Sequence, residues 1–136
     1  MSAKTAKFTV PPQYIGKTLQ RFAFQPSLNK RLHWAKRGRV NAAFKDFAWP
    51  LALQTGLRKL KKVKVVFTVM SIQELDTDNL YSLPKPIMDA IVQAGVVEND
   101  TPEFVRLAVK QKRVHHRADE CIEVEIEDIG KGGGAA

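Results

Sequence analysis

The sequence predicts an α/β (α+β) fold: a single mixed β-sheet of about four strands with two helices, in the order β-α-β-α-β-β. Three observations predict it. Residues 63–70 are β-branched and aromatic, with apolar side chains on both faces, the pattern of an interior strand. Residues 40–56 and 80–94 carry apolar residues three and four apart, the pattern of helices with one buried face. Residues 104–114 and 121–126 alternate, the pattern of half-buried strands. The 136 residues, 44% of them hydrophobic, are enough for one domain with its own core, with about 1–7 and 130–136 as flexible ends.

Each element has a local reason. Phe8, Thr9 and Val10 open a short strand that Pro11 and Pro12 end. Residues 19–24 alternate, and the first strand of the sheet is expected there, closed by Pro26 and Ser27. The first helix buries Val40, Ala43, Phe44, Phe47, Ala48 and Leu51. Pro50 is expected to kink or divide it, and Gly56 to stop it. The basic linker 58–62 then leads into the strand 63–70.

The second helix buries Leu80, Leu83, Ile87, Met88, Ile91 and Ala94. Either Ser82 caps it with Pro84 in its first turn, or Asn79 caps a short first turn and the prolines bend the helix beyond that turn. The last two strands are expected to form a hairpin around His115–Asp119, with Val105, Leu107 and Val109 facing inward beside Ile122, Val124 and Ile126. Their outer faces would then set Arg106, Lys110 and Lys112 against Glu123, Glu125 and Glu127. Cross-strand pairing accounts for those glutamates and excludes them from a metal site.

The charge is unevenly spread. The net value is +8; residues 1–73 hold 15 Lys/Arg and one acid, while residues 74–136 hold 7 Lys/Arg and 13 acids. A half this basic points to a polyanion, most often nucleic acid. Its densest run includes Asn29, Lys30, Arg31, Lys36, Arg37 and Arg39, interleaved with His33 and Trp34. Cations bind phosphates and an indole offers a stacking face, although Trp34 by itself reads as a core side chain. Cys121 is the one cysteine, so neither an intrachain disulfide nor a zinc cluster is expected. No apolar run reaches the ~18 residues of a membrane span, and no secretory signal is expected at the N-terminus. The expected setting is a reducing cytoplasm.

The acids gather in one stretch: Asp76, Asp78, Asp89 and Asp100, with Asn79 and Lys85 among them. If the central strand continued through Asp76 and Asp78, both would project to one side. A helix returning along the sheet would bring Asp100 toward them. Three carboxylates offer hard oxygen ligands that suit Mg²⁺ or Mn²⁺. Lys85, near such an ion, would offset charge developing on a phosphate. By spacing alone an Asp-x-Asp also caps a helix or shapes a turn. Asp89 equally reads as an i,i+4 partner of Lys85.

Asp76-x-Asp78-Asn79-Leu80, Lys85-x-x-x-Asp89-Ala90, Ala94-Gly95 and Asp100 together resemble the RusA family of bacterial and phage Holliday junction resolvases. Pro26-Ser27-Leu28-Asn29, ahead of the basic run, is similar to that family's entry. The motif core covers residues 76–105, and a looser likeness of element order covers about 19–129. The resemblance implies a RusA-like fold and a homodimeric, Mg²⁺-dependent endonuclease that resolves four-way DNA junctions by paired nicks in recombination and repair. Its essential aspartates fall on Asp76, Asp78 and Asp100, and its lysine on Lys85. Two departures stand out: residues 81–84 lengthen the spacing to Lys85 by about three residues, and Asn99 precedes Asp100 where the acid is often doubled. The alternative is a junction-binding protein without catalysis. A phosphohydrolase of small nucleotides fits less well, because such a substrate needs no extended phosphate track.

Overall fold

The computed structural model describes residues 5–11, 14–15, 20–21, 34–72, 74 and 77–130. Within these, the chain runs β1 (Thr5–Val10), β2 (Tyr14–Ile15), β3 (Gln20–Arg21), α1 (Trp34–Gln54), β4 (Val63–Ser71), α2 (Thr77–Ser82), α3 (Pro84–Gln93), β5 (Val105–Arg113), a 3-10 turn (Arg117–Asp119) and β6 (Cys121–Asp128). The main sheet is mixed and four-stranded, in the order β1-β6-β4-β5, and β2 pairs only with β3. This is the α+β class that the sequence predicts. β4 is interior, as expected: it runs parallel to β5 and antiparallel to β6.

Two expectations about strands are corrected. The first strand of the main sheet is β1, so Thr5–Lys7 are part of the sheet and not a frayed end. Its alternation explains this: Ala6, Phe8 and Val10 lie opposite Ile126, Val124 and Ile122, while Thr5, Lys7 and Thr9 face the other way. Of the stretch expected as first strand, only Gln20 and Arg21 lie among the described residues, and they belong to the small pair.

The expected hairpin of β5 and β6 does not form, because β4 lies between them. Buried Ile122, Val124 and Ile126 of β6 need apolar neighbours on both sides, and β1 and β4 supply them. The connection after β5 crosses the end of β4: Val114 N–H donates to the Ser71 carbonyl (3.0 Å), and Arg113 Nε donates to the Ile72 carbonyl (2.7 Å). The charge pairing expected across the hairpin is lost with it. Glu125 lies opposite Lys7, and Glu127 opposite Lys64.

One face of the sheet carries the core. Val63, Val65, Phe67 and Val69 of β4 are fully buried, with Phe44, Ala48 and Ala52 of α1 and Ile87, Ala90 and Ile91 of α3. The buried stripe of α1 is 44, 48 and 52, so Phe47 is not in the core as expected; it is 39% exposed. Leu107 is likewise half-exposed, because β5 is an edge strand. α1 begins at Trp34, earlier than the apolar spacing shows, and runs through Pro50 without dividing. Gly56 (φ +75°) follows its end, as expected of a stop.

The second helical stretch is two helices. Leu83 joins them in helical conformation and precedes Pro84; it has no side-chain cap, so Ser82 is not the capping residue. Pro84 and Pro86 are buried, in a first turn where a missing N–H costs nothing. After α3, Gly95 at φ +85° turns the chain. Its carbonyl accepts from Lys59 N–H, and the Val96 carbonyl accepts from Leu60 N–H, both at 2.8 Å. These bonds tie the end of α3 to the entry of β4. Gly130, expected in a flexible tail, donates its N–H to Asp128 Oδ1 (3.1 Å) and lies against Lys62.

Candidate metal and nucleic-acid site

Asp76 lies outside the described residues. Asp78 lies in α2, described for its backbone only, just beyond the C-terminal end of β4. The strand ends at Ser71, and Asp78 lies beyond it in a helix. Lys85 is exposed in the first turn of α3. At about 1.5 Å of rise per residue it sits roughly 10 Å along the helical path from Asp78. Asp89 follows it by one turn and is half-buried. No ion pair joins these two, although their spacing allows one.

Asp100 lies at the other end of the sheet. It is exposed, and its N–H donates to Asn99 Oδ1 (2.7 Å). The next residue, Thr101, accepts through its carbonyl from the N–H groups of Phe104 and Val105, both at 2.9 Å. The Phe104 carbonyl accepts from Val63 N–H (2.9 Å). Val105 is in register with Val63, the first residue of β4. Asp100 therefore sits at the entry of β4, and Asp78 beyond its exit. The helices do return along the sheet, and they carry the chain back to the start of β4.

The chemistry of a shared ion tests this arrangement. Carboxylates on one Mg²⁺ each bind at about 2.1 Å, so their oxygens crowd within a few ångströms. The eight steps between the nine residues of β4, at about 3.3 Å each, separate its two ends by roughly 26 Å. Asp100 stands at one end of that length, and Asp78 follows the other. Among the described residues no three His, Cys, Asp or Glu side chains come together as a metal group.

The basic residues divide in the same way. Asn29, Lys30 and Arg31 lie outside the described residues. Lys36, Arg37 and Arg39 occupy the opening turns of α1, described for their backbone only. The first turn of α1 holds no acid. Cations at a helix N-terminus oppose the helix dipole, so this composition does not serve the helix; it concentrates positive potential where an anion would be favoured.

One carboxylate near β4 is not legible in the sequence. Glu120, expected in a solvated turn with Asp119, is buried at 8% exposure, and its Oε2 accepts from Ile72 N–H (2.9 Å). It stands at the exit of β4, where the chain departs toward Asp76 and Asp78. Its place just before an alternating strand is the only hint, and a Glu there reads as polar. His115 and His116 are exposed, as expected of a turn. Cys121 is half-buried with Sγ 3.7 Å from Met70 Sδ. Burial raises its thiol pKa above 9.0, with Glu123 and Asp119 adding to the shift.

A cleft of about 510 Å³ opens at the entry of β4, near Asp100, with Lys59, Lys61, Glu98 and Phe104 in its walls. Among the described residues no helix is long and apolar enough to cross a membrane. No family model matches the chain, and no match is found among the curated proteins.

Proposed function

We propose that the chain is a metal-dependent endonuclease acting on branched DNA as a homodimer, with Mg²⁺ or Mn²⁺ as its ion. The observation that carries the DNA reading is the opening of α1, where Lys36, Arg37 and Arg39 crowd a helix N-terminus without an acid. The hydrolytic reading rests on the sequence motif of Asp76, Asp78 and Lys85, of which Asp78 and Lys85 lie in the two helices that follow the interior strand. Asp100 enters such a site only from a second copy, since β4 separates it from Asp78 of its own chain. Two copies about a two-fold axis supply two such sites, which suits a two-fold junction and paired nicks.

That same separation favours a second reading, a junction-binding protein without catalysis. A labelled synthetic four-way junction, with linear duplex as control, distinguishes the two in Mg²⁺, Mn²⁺ and EDTA. Paired nicks in the junction alone, lost in EDTA and in Asp76→Asn with binding kept, support the nuclease. Binding without nicks in either metal supports the binder.

A further inference from the structure

The sheet face turned away from the helices is banded by charge. The register places its side chains in rows across the strands from β1 to β5: Thr5, Glu127, Lys64, Arg106; then Lys7, Glu125, Val66, Ala108; then Thr9, Glu123, Thr68, Lys110. Met70 and Lys112 lie beyond them. The acids therefore form one band on β6, with Lys7 and Lys64 opposite two of them. Arg106, Lys110 and Lys112 form a second band at the β5 edge, one strand further away than cross-strand pairing reaches. At about 4.8 Å per strand, roughly 10 Å separates the β5 and β6 backbones. All three cations are exposed, and among the described residues none has an ion-pair partner.

We infer that this β5 band is a contact track for the phosphate backbone of a DNA duplex. Arg106 to Lys112 extends about 20 Å along the strand at 3.3 Å per residue. Three cations over that length can each meet one phosphate of a DNA strand. Its direction also has meaning. β5 runs parallel to β4, so the end at Lys112 lies beside Met70, where β4 departs toward Asp78. A duplex on the band is led to the acid-bearing segment, and the glutamates of β6 repel it from the middle of the face. The band lies on a different element from the cations of α1 and adds a second point of support for an extended DNA.

The inference rests on the nucleic-acid reading above, and the test separates the two. The triple variant Arg106→Gln, Lys110→Gln, Lys112→Gln is compared with wild type for binding to a mixed-sequence duplex and a four-way junction over a range of salt. Each lost phosphate contact lowers the log–log salt slope by about 0.9, so the triple variant is expected to lose between two and three. Acetylation footprinting of the wild-type protein needs no variant: bound DNA should protect Lys110 and Lys112 and leave Lys7, at the far edge of the face, reactive. An unchanged slope with unprotected lysines overturns the track while leaving DNA binding intact. So does a variant that self-associates through the exposed β5 edge at unchanged DNA affinity, which would make the cations edge protection. Absence of wild-type binding to either DNA overturns both readings.

Discussion

Asp78→Asn and Asp100→Asn give the sharpest test of a site built from two copies. Each variant alone is expected to be inactive, because every site in either homodimer lacks one carboxylate. The decisive sample is their mixture after subunit exchange. If one chain supplied both groups, a mixed dimer would contain two broken sites and stay inactive. If Asp100 comes from the partner copy, the mixed dimer holds one site with both carboxylates and one with neither. Random exchange makes about half the dimers mixed, so about one quarter of the wild-type number of sites returns. The structure supplies the reason to expect this: roughly 26 Å of β4 lies between the two positions in one chain, against the few ångströms that a shared Mg²⁺ permits. The assay is nicking of an end-labelled four-way junction in Mg²⁺. The expected product carries single nicks, since a mixed dimer has one working site. An inactive mixture of variants that exchange freely and bind DNA would refute the two-copy site. Full activity of Asp100→Asn alone would remove Asp100 from the chemistry altogether.

Three further outcomes test the fold. Phe67→Ala empties the centre of the apolar row Phe8, Val124, Phe67 and Val109, in which Val124 and Phe67 are fully buried, and should cost about 3–5 kcal/mol in urea unfolding. Glu120→Ala leaves the Ile72 amide without its acceptor and should cost about 1–3 kcal/mol; Glu120→Gln keeps an acceptor oxygen and should cost less by the same measurement. The Cys121 thiol should react slowly with iodoacetamide near pH 9, because burial raises its pKa above 9.0. By linkage, the stability it favours is fully present below pH 9 and is lost as pH rises through the higher folded value. In Cys121→Ser, alkaline unfolding curves should lack that contribution.

Strands and helices that announce themselves through buried periodicity are legible in the sequence. β4 buries every second residue from Val63 to Ser71, and its β-branched run shows it. Ile87 and Ile91 read correctly because a four-residue spacing keeps both against the core. Neighbours are less legible. Nothing in the alternation of β5 and β6 says whether they pair with each other or flank a third strand, since either arrangement turns the same residues toward the core side of the sheet. The start of β1 is hidden because Thr5, Ala6 and Lys7 have little strand character alone and are held by six residues of register with β6. The opening of α1 is hidden because Trp34 to Arg39 is cationic, and no apolar stripe marks it as helical.

The position of β5 joins the two functional conclusions. A helical connection from β4 carries the chain back to the start of the sheet, so the next strand runs parallel to β4 and begins where β4 begins. That puts Asp100, five residues before Val105, at the entry of β4 and away from Asp78. The same crossover seats β5 at the outer edge, and β6 then takes the opposite side of β4. Arg106, Lys110 and Lys112 are thereby parted from the glutamates that a hairpin would have set beside them. One topological choice thus parts Asp100 from Asp78 along the sheet, as the two-copy proposal requires, and parts three cations from the glutamates, as the proposed phosphate track requires. A variant that changes DNA affinity through the β5 band should consequently leave the exchange experiment at its expected quarter once DNA is saturating, because the two effects share a cause in the fold and not a contact.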